Sequence, residues 1–326
     1  MEETNNTRFT KTVILEEVKL AINRFGDGIT EILSYLFFRS RFALAAKLFF
    51  PLLLMVVLFI LPLIFVLRLS FWETRGMELV PTFSLRNYVY FLSEPVYRAA
   101  IGQSIKLGFL VSFICLLMGY PIALTLTHFR LKYRSVVTFI LITPLFVSVV
   151  IRVFGWLILL ESKGLINVTL QSLGIIDEPL KLVNSVTGVA IGIVNVLLVF
   201  MVVAIVAALA GIPKSVLEAA RTLGANPIRV WWHVIWPLSG PGVLAGFVLV
   251  FASTISAFTQ PRIIGGLRFL VVPILVYKEV LGVLNWPLGA AMGFVLLAVS
   301  LLASSLAYVV SQYIFFPHLR RQSARR

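Results

Sequence analysis

The stretch EAARTLGANPIRVWWHVIWP, residues 218–237, decides how this chain is read. It opens on Glu218, the only acidic residue between Glu178 and Glu279, and is interrupted by Gly224, Asn226-Pro227 and Pro237. Strongly apolar runs stand on both sides of it. Local rules predict a helix, a turn and a second helix. Pro213 suits a first helical turn, where its missing N–H costs nothing, and Ser215 and Glu218 stand at capping-box spacing. Gly224, free to take positive φ, suits the end of that helix after Leu223. Asn226 then caps a second helix with Pro227 at its first position. That helix carries Val230, Trp231, Val234 and Ile235, and Pro237 is expected to end it. Two such helices, set at an angle on a membrane surface, make a protruding knob. Its small face (Ala219, Ala220, Leu223) and polar anchors (Glu218, Arg221) suit the groove of a partner. A plain loop with helical propensity is the alternative.

The flanks place this island in a membrane protein. Of 326 residues, 60% are hydrophobic and the mean hydropathy is +0.99, where a soluble globule is about 45–50% apolar. A spanning helix needs about 20 mostly apolar residues. Six runs qualify: 47–69, 103–127, 136–160, 185–209, 241–259 and 288–314. Pro51, Pro62, Pro121 and Pro144 fall inside the first three, which implies kinked helices whose freed carbonyls find partners on their neighbours.

Charge fixes the expected orientation. With the N-terminus inside, residues 1–47 hold seven Lys and Arg, 128–135 three, 210–240 three and the tail four; the other side holds ten, and the acids divide equally. The positive-inside rule therefore puts both termini and the island in the cytoplasm. The net charge of +14 is topological and forms no basic domain for nucleic acid. Residues 11–38 mix apolar and charged positions, as an amphipathic helix on the membrane surface would; a partly disordered tail is the alternative. The start lacks the pattern of a cleaved signal peptide, so the first true span is expected to direct insertion. Cys115, the single cysteine, excludes an intrachain disulfide.

Catalytic chemistry is missing from the pattern. GIPKS, residues 211–215, lacks the glycines of a phosphate loop, and His128, His233 and His318 are too scattered for a metal site. Arg152 is the informative intramembrane charge. It lies about 16 residues into its span, roughly 24 Å from the cytoplasmic end, and an ionisable group at that depth is a functional candidate. Its bland alternatives are snorkelling to lipid phosphate or pairing with Glu161. Trp156, one turn on, could line a solute path or sit at the lipid interface. Asn195, Ser253, Thr254 and Gln260 are further pathway candidates, with helix packing as the alternative role. No carboxylate lies within a span, while Lys106 and Arg152 approach the outer half.

The island resembles the coupling loop of permease subunits of bacterial binding-protein-dependent ABC importers. Glu218-Ala219-Ala220, three residues, Gly224, nine residues, Val234, two more and Pro237 follow that family's spacing; Val234 stands where isoleucine is usual and Trp236 where leucine is. GYPIALTLTHF (119–129), IRVFGWLILLESKGLINVTLQSLGIID (151–177), LSGPGVLAGFVLVF (238–251) and NWPLGAAMGFVL (285–296) are similar to spermidine/putrescine permeases. The resemblance implies an all-α integral membrane protein with six transmembrane helices in the type I importer arrangement. Residues 1–46 would be a cytoplasmic segment, 47–315 the permease domain with its coupling loop at 213–237, and 316–326 a basic tail. The resemblance assigns ATPase coupling to Glu218, Ala219, Ala220, Arg221, Leu223, Gly224, Ala225 and Pro237. It further implies an ATPase dimer that carries the ATP and Mg, a second permease subunit, a periplasmic or lipid-anchored solute-binding protein, and the bacterial inner membrane. The chain itself would be non-catalytic and bind no cofactor. Polyamines are the implied solute; an opine, an amino-acid derivative or an aminophosphonate is the alternative, and an ion-coupled secondary transporter is the competing class.

Overall fold

The computed structural model describes residues 41–76, 78–128, 134–267 and 269–315; the expected amphipathic segment at 11–38 and the basic tail at 316–326 lie outside them. The chain divides after Val66 into two compact units. In the first, α1 (Arg41–Met55) passes through a π-turn (Val56–Ile60) into α2 (Leu61–Ser70), which crosses the boundary. The second unit begins with an antiparallel hairpin of β1 (Glu73–Arg75) and β2 (Glu78–Val80), with Thr74 opposite Leu79. Short α3 (Arg86–Ser93) leads into long α4 (Pro95–His128). Then come α5 (Arg134–Ile142), α6 (Val149–Leu160), α7 (Leu165–Ser172) and α8 (Val186–Ala210). The island supplies α9 (Lys214–Thr222) and α10 (Pro227–Val230), followed by α11 (Trp236–Ile255), α12 (Thr259–Ile263), α13 (Val272–Tyr277) and α14 (Trp286–Phe315).

Five stretches are long and apolar enough to cross a membrane: Lys47–Ser70, Pro95–Thr127, Val186–Ala210, Pro227–Ile255 and Trp286–Ser311. A sixth exists if the bent pair Arg134–Phe146 and Val149–Ser172 is one span. The core of the second unit is a trio, α4, α8 and α11, each packed on the other two. Leu107, Val111 and Cys115 of α4 bury against Ile193, Met201 and Ile205 of α8 and Val250 of α11. Gly242 sets the approach of α11 to α8: a Cβ there would lie 2.4 Å from Ala208 Cβ and 2.7 Å from Ala204 O. Lipid is as apolar as the helices, so such close backbone packing is what holds them together. At the end of the trio away from the island, Phe91, Ala100, Val272, Leu275, Leu288 and Met292 form a second buried cluster.

One expectation about prolines is sharpened and one corrected. The kink expected in the run at 136–160 is a break. After α5 the chain tightens into a 3-10 turn (Thr143–Phe146), Val147 and Ser148 are extended, and the axis turns by 106°. Pro144 has no N–H, and its ring crowds the carbonyl four residues back. Conversely, Pro237 does not end the island's second helix. A π-turn (Trp231–Ile235) precedes it, with Trp236 N–H donating to Trp231 O, and the helix runs unbroken from Pro227 to Ile255. The wider turn takes up the ring without breaking the helix.

Candidate functional site

The island is built by local rules, with one substitution among them. Pro213 is the N-cap of α9 and stands one position before the expected first turn. Ser215 is therefore already helical, and the capping box with Glu218 does not form: the N-cap has no side-chain bond. The other end of α9 follows the expectation closely. Gly224 has φ +81°, Gly224 N–H donates to Arg221 O at 2.9 Å and Ala225 N–H to Ala220 O at 3.1 Å, the two bonds of a Schellman end. Asn226 Oδ1 then accepts from Arg229 N–H at 2.8 Å, capping α10.

What this turn presents is apolar. Leu223 is 88% exposed, Ile228 69% and Trp232 55%, beside exposed Glu218, Ala219 and Arg221 and half-buried Ala220, Ala225 and Pro237. Behind them the knob is tied to the trio. Tyr120 of α4 meets Trp236 edge to face at 5.0 Å and Trp231 at 6.0 Å, and Tyr120 Oη and Ser239 Oγ share a buried hydrogen bond of 3.0 Å. Movement of the knob therefore bears directly on α4 and α11. Trp231 is marked in the sequence as part of the second helix, whereas Tyr120 and Ser239 are not marked as partners, because 119 residues separate them.

The pathway candidates divide. Trp156 and Asn195 meet in a cavity of about 420 Å³ between α4, α6 and α8, lined also by Ile114, Met118, Thr187 and Val194. The side-chain amide of Asn195 has no hydrogen-bond partner among the described residues, and an unpaired amide in apolar surroundings is costly. Gln260 of α12 packs toward α8, its Cγ 3.8 Å from where a Cβ on Gly192 would sit, and does not line the cavity. Ser253 is half-buried; Thr254 is buried and donates back to Val250 O at 2.7 Å, a helix-packing role. Neither of these two lines the cavity. Arg152 does not pair with Glu161. Its Nη1 donates to Pro144 O and, at 3.3 Å, to Val147 O, so it caps carbonyls freed by the break, where a cation also complements the helix dipole. Lys106 is exposed.

The opposite end holds a polar cleft of about 430 Å³ between the hairpin, α3, the start of α4 and the segment before α14. Tyr97 Oη donates to Glu279 Oε1 at 3.2 Å across 182 residues. Glu279 carries no mark of this kind in the sequence, because it stands just outside a span.

Residues 116–321 match the family described as binding-protein-dependent transport system inner membrane component. The spermidine/putrescine transport system permease protein PotB of Haemophilus influenzae is 33% identical over 233 residues, covering 71% of this chain and 81% of that protein. PotB of Escherichia coli is 34% identical over 238 residues, covering 72% and 86%. A putative 2-aminoethylphosphonate transport system permease protein, PhnU of Salmonella choleraesuis, is 26% identical over 230 residues, covering 70% and 79%. Among solved structures, a bacterial alginate ABC transporter in complex with an alginate pentasaccharide-bound periplasmic protein has a chain of TM-score 0.69 at 18% identity, covering 84% of this chain and 96% of that one. That likeness is one of fold.

Proposed function

This chain belongs to the family of binding-protein-dependent transport system inner membrane components, and from that premise we propose how it works as the permease subunit of an ABC importer. It forms half of a solute path completed by a second permease subunit. Residues 213–237 face the cytoplasm and take the stroke of a separate ATPase dimer, which holds the ATP and Mg. A periplasmic or lipid-anchored binding protein delivers the solute. The exposed apolar side chains Leu223, Ile228 and Trp232 on a tightly capped turn carry this reading. Covering one such side chain is worth roughly 1.5–3 kcal/mol, and contiguous exposed apolar surface marks an interaction site. The tie from Trp231 and Trp236 to Tyr120 supports a rigid link from that surface to the bundle.

The solute is a linear polyamine such as spermidine or putrescine. The two PotB relatives support this, and so does the cavity, where the Trp156 face and the Asn195 amide suit an ammonium group. An anionic solute, such as an aminophosphonate, would want a cation in the path, and neither Arg152 nor Lys106 lines the cavity.

The test is the assembled complex. Gly224→Val strains a position held at φ +81°, and Glu218→Lys reverses an exposed charge. Each is expected to uncouple or detach the ATPase while the bundle still folds. Normal solute-stimulated ATP hydrolysis in both variants removes residues 213–237 from the mechanism. Spermidine delivered by the binding protein should stimulate hydrolysis more than zwitterionic amino acids do; if it does not, the importer reading stands and the polyamine one falls. In a Cys115→Ala background, Leu217→Cys should label only from the cytoplasm and Ser172→Cys only from outside.

A further inference from the structure

The cleft at the end of the bundle away from the island has no part in coupling and shares no lining residue with the Trp156–Asn195 cavity. We infer that it binds one primary ammonium group, with Glu279 as counter-ion and Tyr97 and Tyr90 as an aromatic wall. Glu279 is only 8% exposed, and its carboxylate accepts one hydrogen bond, from the neutral phenol of Tyr97. Glu279 forms no ion pair with a described residue, and the pair of Arg75 with Glu73, at 3.6 Å, stands on the rim of the same cleft. A buried carboxylate with no cation is among the costliest groups a protein can hold. Lys278 and Arg86 also line the cleft, but both are solvent-exposed and neither forms an ion pair with Glu279. The missing cation is the ligand.

The surroundings are fixed in advance. Asn87 Nδ2 donates to Ser70 O and Trp72 O at 3.0 and 2.8 Å. Asn285 Oδ1 accepts from Thr74 Oγ1 and Leu288 N–H at 3.0 and 3.3 Å. These bonds hold the hairpin, α3 and the start of α14 around the carboxylate and leave it as the open acceptor. Tyr90 and Tyr97 stand edge to face, centroids 5.7 Å apart, with ring faces of the kind that attract an ammonium group. The volume of about 430 Å³ admits a short alkylamine. The inference rests on the orientation proposed above, which puts this cleft at the entrance side, and adds a station for the amine outside the membrane path.

The experiment uses the complete importer in lipid nanodiscs without binding protein, with a diazirine-bearing alkylamine as the photoprobe. Mass spectrometry should place the label on residues 86–97 or 278–288. Butylamine should compete and butyrate should not. Glu279→Gln should cut labelling at least about tenfold, as expected for losing a bond to a charged acceptor; Lys278→Ala should leave it intact or raise it. Tyr90→Leu, at an exposed ring that makes no bond to the carboxylate, serves where Glu279→Gln fails to assemble and should weaken labelling severalfold. Label confined to other segments, equal competition by butyrate, or wild-type labelling in Glu279→Gln overturns the site. Spermidine-stimulated ATP hydrolysis with loaded binding protein, measured in parallel, separates the two readings, because it can fail while the cleft still labels.

Discussion

Pro144 and Pro237 both stand in apolar helical runs, and only one of them breaks its helix. Both lack an N–H and crowd a carbonyl four residues back. At Pro144 the helix tightens, extends and turns by 106°, and Phe146 is left 86% exposed. The freed carbonyls of Pro144 and Val147 are met by Arg152, folded back from the next helix. At Pro237 a π-turn widens the helix first, and Tyr120, Trp231 and Trp236 pack around it. A proline in a membrane helix therefore kinks, breaks or passes according to what its neighbours supply. The consequence for transport is a division of labour. The helix that carries the knob is continuous with the bundle and can transmit a push, whereas the third span is jointed.

The largest effect should come from removing the packing at Pro237. Trp231→Ala deletes a half-buried ring, which should cost about 2–3 kcal/mol, below the 3–5 of a fully buried aromatic. The helix should loosen at its π-turn, and solute-stimulated ATP hydrolysis should fall about tenfold in a complex that still assembles. Unchanged coupling would reduce the cluster to packing and strip the comparison of its functional half. Next is the cation at the joint. Arg152→Met leaves two carbonyls uncapped, a loss of about 1–3 kcal/mol, seen as a lower thermal midpoint of the solubilised protein; Arg152→Lys should restore part of it. If transport is lost with no change in midpoint, Arg152 is a gate residue and its capping bonds are incidental.

How much of this was legible in the sequence depended on distance along the chain. The spans were legible because hydropathy is additive along a helix, and the turn at Leu223–Pro227 because every bond in it lies within five residues. The two prolines were not distinguishable, since the packing beside Pro237 comes from Tyr120 on another helix. Arg152 misled for a different reason: its partners are backbone carbonyls, which carry no sequence signature, whereas Glu161 was a visible opposite charge. Trp156 and Asn195 were legible as candidates one at a time, but their meeting in one cavity needed the fold. Glu279 and Tyr97, 182 residues apart, left no signal to read.

A smaller and more geometric effect concerns the joint itself. Spin labels at Thr138 and Ile158, in a Cys115→Ala background, bracket Pro144. Twenty residues of straight helix span about 30 Å, whereas two ten-residue legs meeting at the observed bend bring the labels to roughly 20 Å or less. Pro144→Ala returns the N–H and should populate the longer distance. If it keeps the short one, the bend belongs to the packing of α6 and not to the proline.

The smallest effect is expected at Pro237 itself. Pro237→Ala supplies an N–H that could bond to the carbonyl of His233 and collapse the π-turn into ordinary helix. Such a collapse would turn everything before it by about one residue's rotation, ~100°, and swing Leu223 away from the face on which the proposed coupling depends. The aromatic contacts oppose it: Trp231 and Trp236 both rest on Tyr120, whose hydroxyl is fixed to Ser239, and the rotation would part them. Each contact of that kind is worth about 0.5–1.5 kcal/mol, enough together to hold the turn against one new hydrogen bond of about 1 kcal/mol. Pro237→Ala should therefore change stability by less than about 1 kcal/mol and leave solute-stimulated ATP hydrolysis close to that of the unaltered chain. A severe loss of coupling in this variant, with the complex intact, would mean that the proline and not the aromatic cluster sets the register of the knob.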